Sequence, residues 1–289
     1  MKNLLKFMCV MAMCLSLVGC TAGLTDNPNY SLETQVSTSS TEEKKVYRIG
    51  MECDYAPNNW QEDTETSSNL PISNLNGFYA EGYDIQMAKK LAEEMDIEIE
   101  IVKLAWTGLI QALKEGQIDM IIAGMGDTPE RKESIAFSNT YSVRKTEYVL
   151  VVQAGSAYAD ATSIQDFSGA TVVGQINTYY DTAIDQIQGV IHAPAATDVP
   201  NMTSQLQEGL VDAIILDDET ADSKYAGDDE YKVLKFEGEN GFVVEMTGAC
   251  VGMRLEDTQL VERVNDALSK IDTDTRQKLM DEAKANQPK

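Results

Sequence analysis

The sequence predicts an α/β fold of two lobes. Apolar residues of period two and apolar residues of helical spacing alternate along the chain from about Val46 onward. One strand candidate, Ile118 to Ala123, is a nearly continuous apolar run, as a parallel strand buried on both faces requires. A second series of the same alternation follows Tyr148, in a chain of 289 residues, which is long enough for two lobes with separate cores. Repeating β-α-β-α order implies helices on both faces of each sheet.

The elements follow in order. Val46 to Gly50 reads as a short strand. Tyr83 to Met95 reads as a helix, because Met87, Leu91 and Met95 recur every four residues on one face. Ile97, Ile99 and Ile101 alternate with Glu98 and Glu100, a strand pattern. Residues 107–115 give a helix with Leu109, Ile110 and Leu113 inward. In the second series Tyr148 to Val152 is a strand, Thr171 to Gly174 a strand, 178–187 a helix, Met202 to Leu210 a helix and Ala213 to Leu216 an apolar strand. Gly248 to Met253 is a strand, followed by helices at about 257–270 and 273–285. No internal repeat is visible.

The N-terminus carries an address. Lys2 and Lys6 precede an apolar stretch from Phe7 to Val18 that ends in Leu17-Val18-Gly19-Cys20. A positive start, an apolar core and small residues at its end describe a secretory signal peptide over residues 1–19. The run is short for a membrane span of ~20 residues. Leu-Val-Gly-Cys resembles a bacterial lipobox, which makes Cys20 the lipid-modified first residue of the mature chain. Residues 21–44 are rich in Thr, Ser, Asn and Glu without apolar period and read as a flexible tether, so that 20–44 links the anchor to the folded part. Only Cys53 and Cys250 then remain in the mature chain besides Cys20. They form either one disulfide or two separate buried thiols. His192 is the only histidine, which excludes histidine-based metal sites and Ser-His triads within one chain, and no Cys/His cluster has metal-ligand spacing. The net charge of −24 becomes −26 once Lys2 and Lys6 are removed, a surface that repels nucleic acid.

Gly82-Tyr83-Asp84-Ile85-Gln86-Met87, continued by Leu91-Ala92, resembles the signature of the family 3 extracellular solute-binding proteins, the amino-acid receptors of bacterial ABC importers. Gln86 stands where an acid is usual. Further matches come in the family's order: Trp106 before Gly108-Leu109-Ile110, a strand beginning Ile118-Asp119, then Thr128-Pro129-Glu130-Arg131, then Phe137-Ser138 and Tyr141. The resemblance runs from about Tyr47 to Ala283. It implies a type II periplasmic-binding-protein clamp, in which two α/β lobes are joined by two crossing hinge strands and the ligand lies between them. Lobe 1 would comprise 45–143 and 249–289, and lobe 2 residues 144–248.

The segment Ala123 to Thr128 leaves a buried strand and enters a helix. Thr128 suits the N-cap and Pro129 the first helical position. Free N–H groups there favour an anion, Gly124 and Gly126 permit close approach, and Arg131 can pair with a carboxylate. The alternative for Arg131 is a surface pair with Glu130 or Glu133. The family resemblance places the carboxylate contacts at Arg131, Gly124 and Gly126, although Gly126 lacks the hydroxyl that many members carry. Asp217 ends the strand from Asp212 at the carboxyl edge of a sheet, where open α/β folds bind ligands, and matches the family's ammonium-binding aspartate. Asp218 is its rival by position. Asn177 and Thr178 open the next helix where the family has Gly-Thr, and asparagine tolerates positive φ. Tyr83 and Tyr55 match aromatic positions of the side-chain pocket, with Trp60 as a possible third wall, and core packing is the alternative for both tyrosines. Glu52 matches a position that contacts polar or cationic side chains.

These readings make the chain a binding protein with no catalytic residue, metal or cofactor. It would take a free amino acid, polar or basic, to a permease of an ABC importer, as a monomer tethered to the membrane by lipid on Cys20 and without nucleic-acid partners. Two rival readings compete with this one. A cyclohexadienyl dehydratase on the same scaffold would need a general acid in the cleft, for which Glu52 is the candidate. A sensor module would need a transmembrane helix and a signalling domain, whereas the sequence closes on the polar Asn286-Gln287-Pro288-Lys289.

Overall fold

The protein is described by a computed structural model covering residues 44–245 and 248–288. The signal peptide, Cys20 and all but the last residue of the tether lie outside the described residues. The chain begins with β1 (Val46–Met51), β2 (Asp54–Tyr55), β3 (Asn59–Glu62), β4 (Leu70–Pro71), β5 (Tyr79–Glu81) and α1 (Tyr83–Met95). It continues through β6 (Glu98–Lys103), α2 (Leu109–Lys114), β7 (Met120–Ile121), α3 (Pro129–Lys132) and β8 (Ala136–Thr140). Then come β9 (Tyr148–Gln153), β10 (Thr171–Val173), α4 (Tyr179–Ala183), β11 (Ile191–His192), α5 (Val199–Gln207), β12 (Ala213–Asp217), α6 (Asp218–Tyr225) and β13 (Tyr231–Leu234). The last elements are β14 (Cys250–Met253), α7 (Thr258–Lys270) and α8 (Thr273–Asn286).

Two five-stranded sheets result, ordered β6-β1-β7-β14-β8 and β11-β10-β12-β9-β13. β1 runs parallel to β6 and β7, and β10 parallel to β11 and β12. One strand in each sheet runs against its neighbours: β14 in the first and β9 in the second. These are the strands by which the chain enters each sheet from the other, without the helical crossover that parallel neighbours need. The alternation in β9 explains why the second sheet is buried on both sides. Val149 and Val151 join one apolar cluster with Leu216 and Met202, while Tyr148, Leu150 and Val152 join another with Ile215 and Phe167. The first sheet shares a core with α1, α7 and α8.

The connection from β8 to β9 runs through Tyr141 to Glu147, which form no regular strand. It meets the return connection where the Tyr141 N–H donates to the Ala249 carbonyl at 2.9 Å and the Ala249 N–H to Ser142 Oγ at 2.7 Å. The helix expected at Met202 to Leu210 starts earlier, at Val199, because Asp198 caps it by accepting the Asn201 N–H at 2.8 Å. The expected run Ile118 to Ala123 is buried throughout, but only Met120 and Ile121 carry strand pairing.

A small antiparallel sheet, ordered β2-β3-β5-β4, sits before α1. Here Gln86 finds its reason. Its amide nitrogen donates to the Ser68 carbonyl at 2.8 Å and faces Glu81 Oε1 at 3.4 Å. A carboxylate at this position would set an acceptor against two acceptors, so the departure from the family signature follows from the loop it holds.

Candidate ligand-binding site

The carboxyl ends of β1, β7, β10 and β12 converge on the crevice between the sheets, as the topology of open α/β folds dictates. The loop after β1 brings Glu52 and Tyr55, the loop after β7 brings Gly124 and Gly126, the turn after β10 brings Gln175 to Thr178, and β12 ends on Asp217. Two adjoining cavities lie there. One is bounded by Glu52, Arg131, Gln175 and Thr178, the other by Tyr83, Tyr141 and Asp217. Tyr55, Gly124 and Tyr180 line both.

Arg131 is buried, with 8 % of its surface exposed, and pairs with neither Glu130 nor Glu133 among the described residues. Thr128 caps α3 as expected, accepting the Arg131 N–H at 3.0 Å, with Pro129 at the first turn. Because α3 is a single turn, its dipole adds little, and the positive character of this corner comes from the guanidinium. That group donates to the carbonyls of Gly126 (2.7 Å) and Asn177 and lies over the Trp106 ring at 5.0 Å. Burial pulls its pKa down to about 10, so it stays cationic at neutral pH.

Asp217 is buried and does two jobs. Oδ1 accepts the Thr220 N–H at 2.8 Å and caps α6, while Oδ2 accepts the Tyr55 hydroxyl. Burial raises its pKa, against the bonds from Tyr55 and Thr220. Its rival Asp218 is engaged elsewhere, paired with Arg144 of the connection and accepting the Glu147 N–H at 3.2 Å. Asp212 is a turn residue that accepts the Thr171 N–H.

Asn177 has φ of 59°, the left-handed conformation that asparagine tolerates. Thr178 is the N-cap of α4, accepting the Asp181 N–H at 3.3 Å and donating to the Gln175 carbonyl at 2.7 Å. Glu52 is buried beside Gln175, whose amide donates to Glu52 Oε2 at 3.3 Å.

Gly124 adopts φ of 62°, and a Cβ there would lie 2.8 Å from the Tyr55 ring. Its N–H donates to the Tyr141 hydroxyl at 3.0 Å, so this amide is already engaged within the protein. Gly124→Ala is expected to lower stability by about 1–3 kcal/mol through backbone strain and to weaken ligand binding by displacing Tyr55. Denaturant unfolding together with calorimetry checks both, and an unchanged protein would place Tyr55 outside the site.

The aromatic residues divide. Tyr55 crosses to the second lobe, where its ring packs among Val149, Val173 and Leu216. Tyr83 is core as well as wall: it is fully buried, tilts against Tyr141 at 6.0 Å between ring centres and donates to the Tyr141 carbonyl at 2.6 Å. Trp60 departs from expectation. It lies opposite Asp54 in the β2–β3 hairpin while Tyr55 lies opposite Asn59. Successive residues of a strand point to opposite faces, so Trp60 turns away from Tyr55 into the first core, its indole N–H on Glu62 at 2.6 Å. Cys53 and Cys250 are two separate buried thiols, and burial pushes both up to about 12.

Trp106 and Gln175 also line the site, a role for which the sequence carries no local signal. The Trp106 indole N–H donates across the crevice to the Ile176 carbonyl at 3.0 Å. The signature itself acts from behind the site. Gly82 (φ 123°) admits the Asn58 carbonyl, which a Cβ would meet at 2.4 Å. The N–H groups of Tyr83 and Asp84 take the carbonyls of Pro57 and Asn58. Buried Asp84 accepts from Asn59 (2.7 Å) and Tyr141 (2.6 Å), fixing the loop that carries Tyr55.

The model of the bacterial extracellular solute-binding proteins, family 3, matches residues 47–283. The chain belongs to this family. It is similar to the arginine-binding extracellular protein ArtP of Bacillus subtilis (strain 168), with 25% identity over 243 residues, 82% of this chain and 84% of the relative. Among solved structures, the substrate-binding protein of an amino acid ABC transporter superposes with a TM-score of 0.68 at 27% identity, covering 82% of this chain and 98% of that one. The arginine-bound form of truncated ArgBP from T. maritima superposes with a TM-score of 0.64 at 27% identity, covering 78% and 96%. The two-lobed type II fold expected from the sequence is thereby that of the family.

Proposed function

We propose that this family 3 binding protein captures a basic amino acid outside the cytoplasm and delivers it to an ABC importer by closing its lobes. One observation carries the proposal: a buried guanidinium, Arg131, and two buried carboxyl groups, Asp217 and Glu52, converge on one crevice between the lobes. Arg131 suits an α-carboxylate and Asp217 an α-ammonium. Glu52, whose cavity is also lined by Tyr55 and Tyr180, suits a cationic side chain. The arginine-binding relatives agree with this assignment. Closure would move lobe 2 (144–248) against lobe 1 (45–143 and 249–289) about the two connections, and the protein would act as a monomer.

A thermal-shift panel of the twenty amino acids with ornithine, citrulline and cystine tests the reading. Arginine, lysine or ornithine should raise the melting temperature, a ligand at a hundred times its Kd adding about 2.7 kcal/mol. A rise with acidic or apolar amino acids alone would overturn the basic assignment. The proposal also holds that no aromatic product forms from prephenate or arogenate, and its appearance would make Glu52 the acid of a dehydratase. Lipid on Cys20 would send the full-length chain made in bacterial cells to the detergent phase on partitioning. Recovery from the aqueous phase would remove the anchor.

A further inference from the structure

Glu52 is a carboxyl group in acidic company. It is 5 % exposed. The charged groups that act on it are Asp54 on its own loop, Asp198 at the start of α5 and Asp84 on α1, and all three are acids. Asp54 has its own cation in Lys103 at 3.3 Å. The cation that shares its cavity, Arg131, is aimed at the carbonyls of Gly126 and Asn177. Among the described residues no lysine or arginine pairs with Glu52, and its single hydrogen bond comes from the Gln175 amide, which also reaches the Thr197 carbonyl at 3.3 Å. An ionised carboxylate held this way would be desolvated and uncompensated, with only acids acting on it.

We propose that Glu52 selects the ligand by exchanging a proton for a cation: the free site holds a neutral carboxyl, and a cationic side chain seated beside it expels that proton to solvent. The O–H bond of Glu52 breaks, the proton passes to water or buffer, and the ligand's charge takes its place. The buried net charge does not change, so the exchange avoids adding an uncompensated ion to the crevice. A neutral side chain offers no such exchange and leaves the proton in place. The proposal rests on the basic-amino-acid reading above and adds the mechanism of choice.

Burial, reinforced by Asp54, raises the Glu52 carboxyl to about 8. Below that pH the ligand must displace a proton, so affinity for a cationic side chain rises with pH, by about tenfold between pH 6 and pH 7, and levels off above pH 8. The same raised value means that the ligand-free fold gains stability from this group at acid pH and loses it as pH climbs through 8.

The experiment is titration of the purified protein with L-arginine at pH 7, by calorimetry in phosphate and in Tris, whose ionisation heats differ. Release of about 0.9 proton per ligand, falling to none in Glu52→Gln with residual binding, is the expected result. Arginine binding without proton release would overturn the exchange and leave the receptor reading intact. Failure of every amino acid to bind would overturn both. Should Glu52→Gln not fold, the wild-type affinity between pH 6 and pH 8 decides alone: a flat profile for arginine would overturn the proposal.

Discussion

Arg131→Ala is expected to weaken amino-acid binding by about 2–5 kcal/mol, as truncation of a buried hydrogen-bonded charge does, or roughly 30-fold to several thousand-fold in Kd. Three features put the effect at this size. The guanidinium is buried, so its charge is poorly screened by solvent. Its Nη1 is held by the Gly126 carbonyl and its face by Trp106, so it is already oriented before a carboxylate arrives. The neighbouring cation on α3 is already engaged, since Lys132 points to Asp127 at 2.6 Å. Arg131→Lys is the sharper variant. It keeps the charge but loses the planar fork and the stacking on Trp106, so it should recover only part of the affinity. Calorimetric titration with the ligand found in the thermal-shift panel measures both, and full affinity in Arg131→Ala would mean that the carboxylate is bound elsewhere.

Much of this site was legible in the sequence because its chemistry coincides with local signals. Thr128-Pro129 announces a helix start, and Arg131 falls on the turn that follows it. Asp217 ends an apolar strand, and the step from strand to helix delivers its carboxylate to the crevice. Asn177 reads as a left-handed residue because few side chains other than glycine accept that geometry. What was not legible depends on distant pairing. Trp106 precedes the site by 70 residues from its partner Ile176, and no local pattern links them. Gln175 becomes informative only when Glu52, 123 residues away, is placed beside it. Proximity of Trp60 to Tyr55 in sequence does not carry over into space, because the hairpin turns the two to opposite faces.

The fold shows the same division. α1 and α7 carry apolar stripes of helical period, and the sequence places them within a residue. α6 has no such stripe. Asp218 to Tyr225 is mostly polar, and the helix exists because Asp217 caps it and Ala221 and Tyr225 reach the second core. The small sheet between residues 54 and 81 is built from strands of two to four residues, too short for a period to register. It is held by pairing among its own short strands and by packing of β3 and β5 against α1 instead.

Asp217 separates binding from stability in a way the other site residues do not. Asp217→Asn is expected to weaken ligand binding by about 2–5 kcal/mol, because a buried ammonium loses its counter-charge. The same change should leave the fold as stable as before or slightly more so. The amide oxygen still accepts the Thr220 N–H, and burial, which holds this carboxyl above its ordinary range, no longer acts on a charge. Asp217→Ala removes the cap as well and should cost about 1 kcal/mol of stability beyond the loss of binding. Denaturant unfolding and calorimetry on the pair distinguish the roles. Equal affinity loss in both variants with lower stability in alanine alone fits a residue that anchors the ligand and caps α6. If Asp217→Asn bound as well as wild type, the ammonium would belong to another acid, and Asp218, freed from Arg144 by Arg144→Ala, would be the residue to examine.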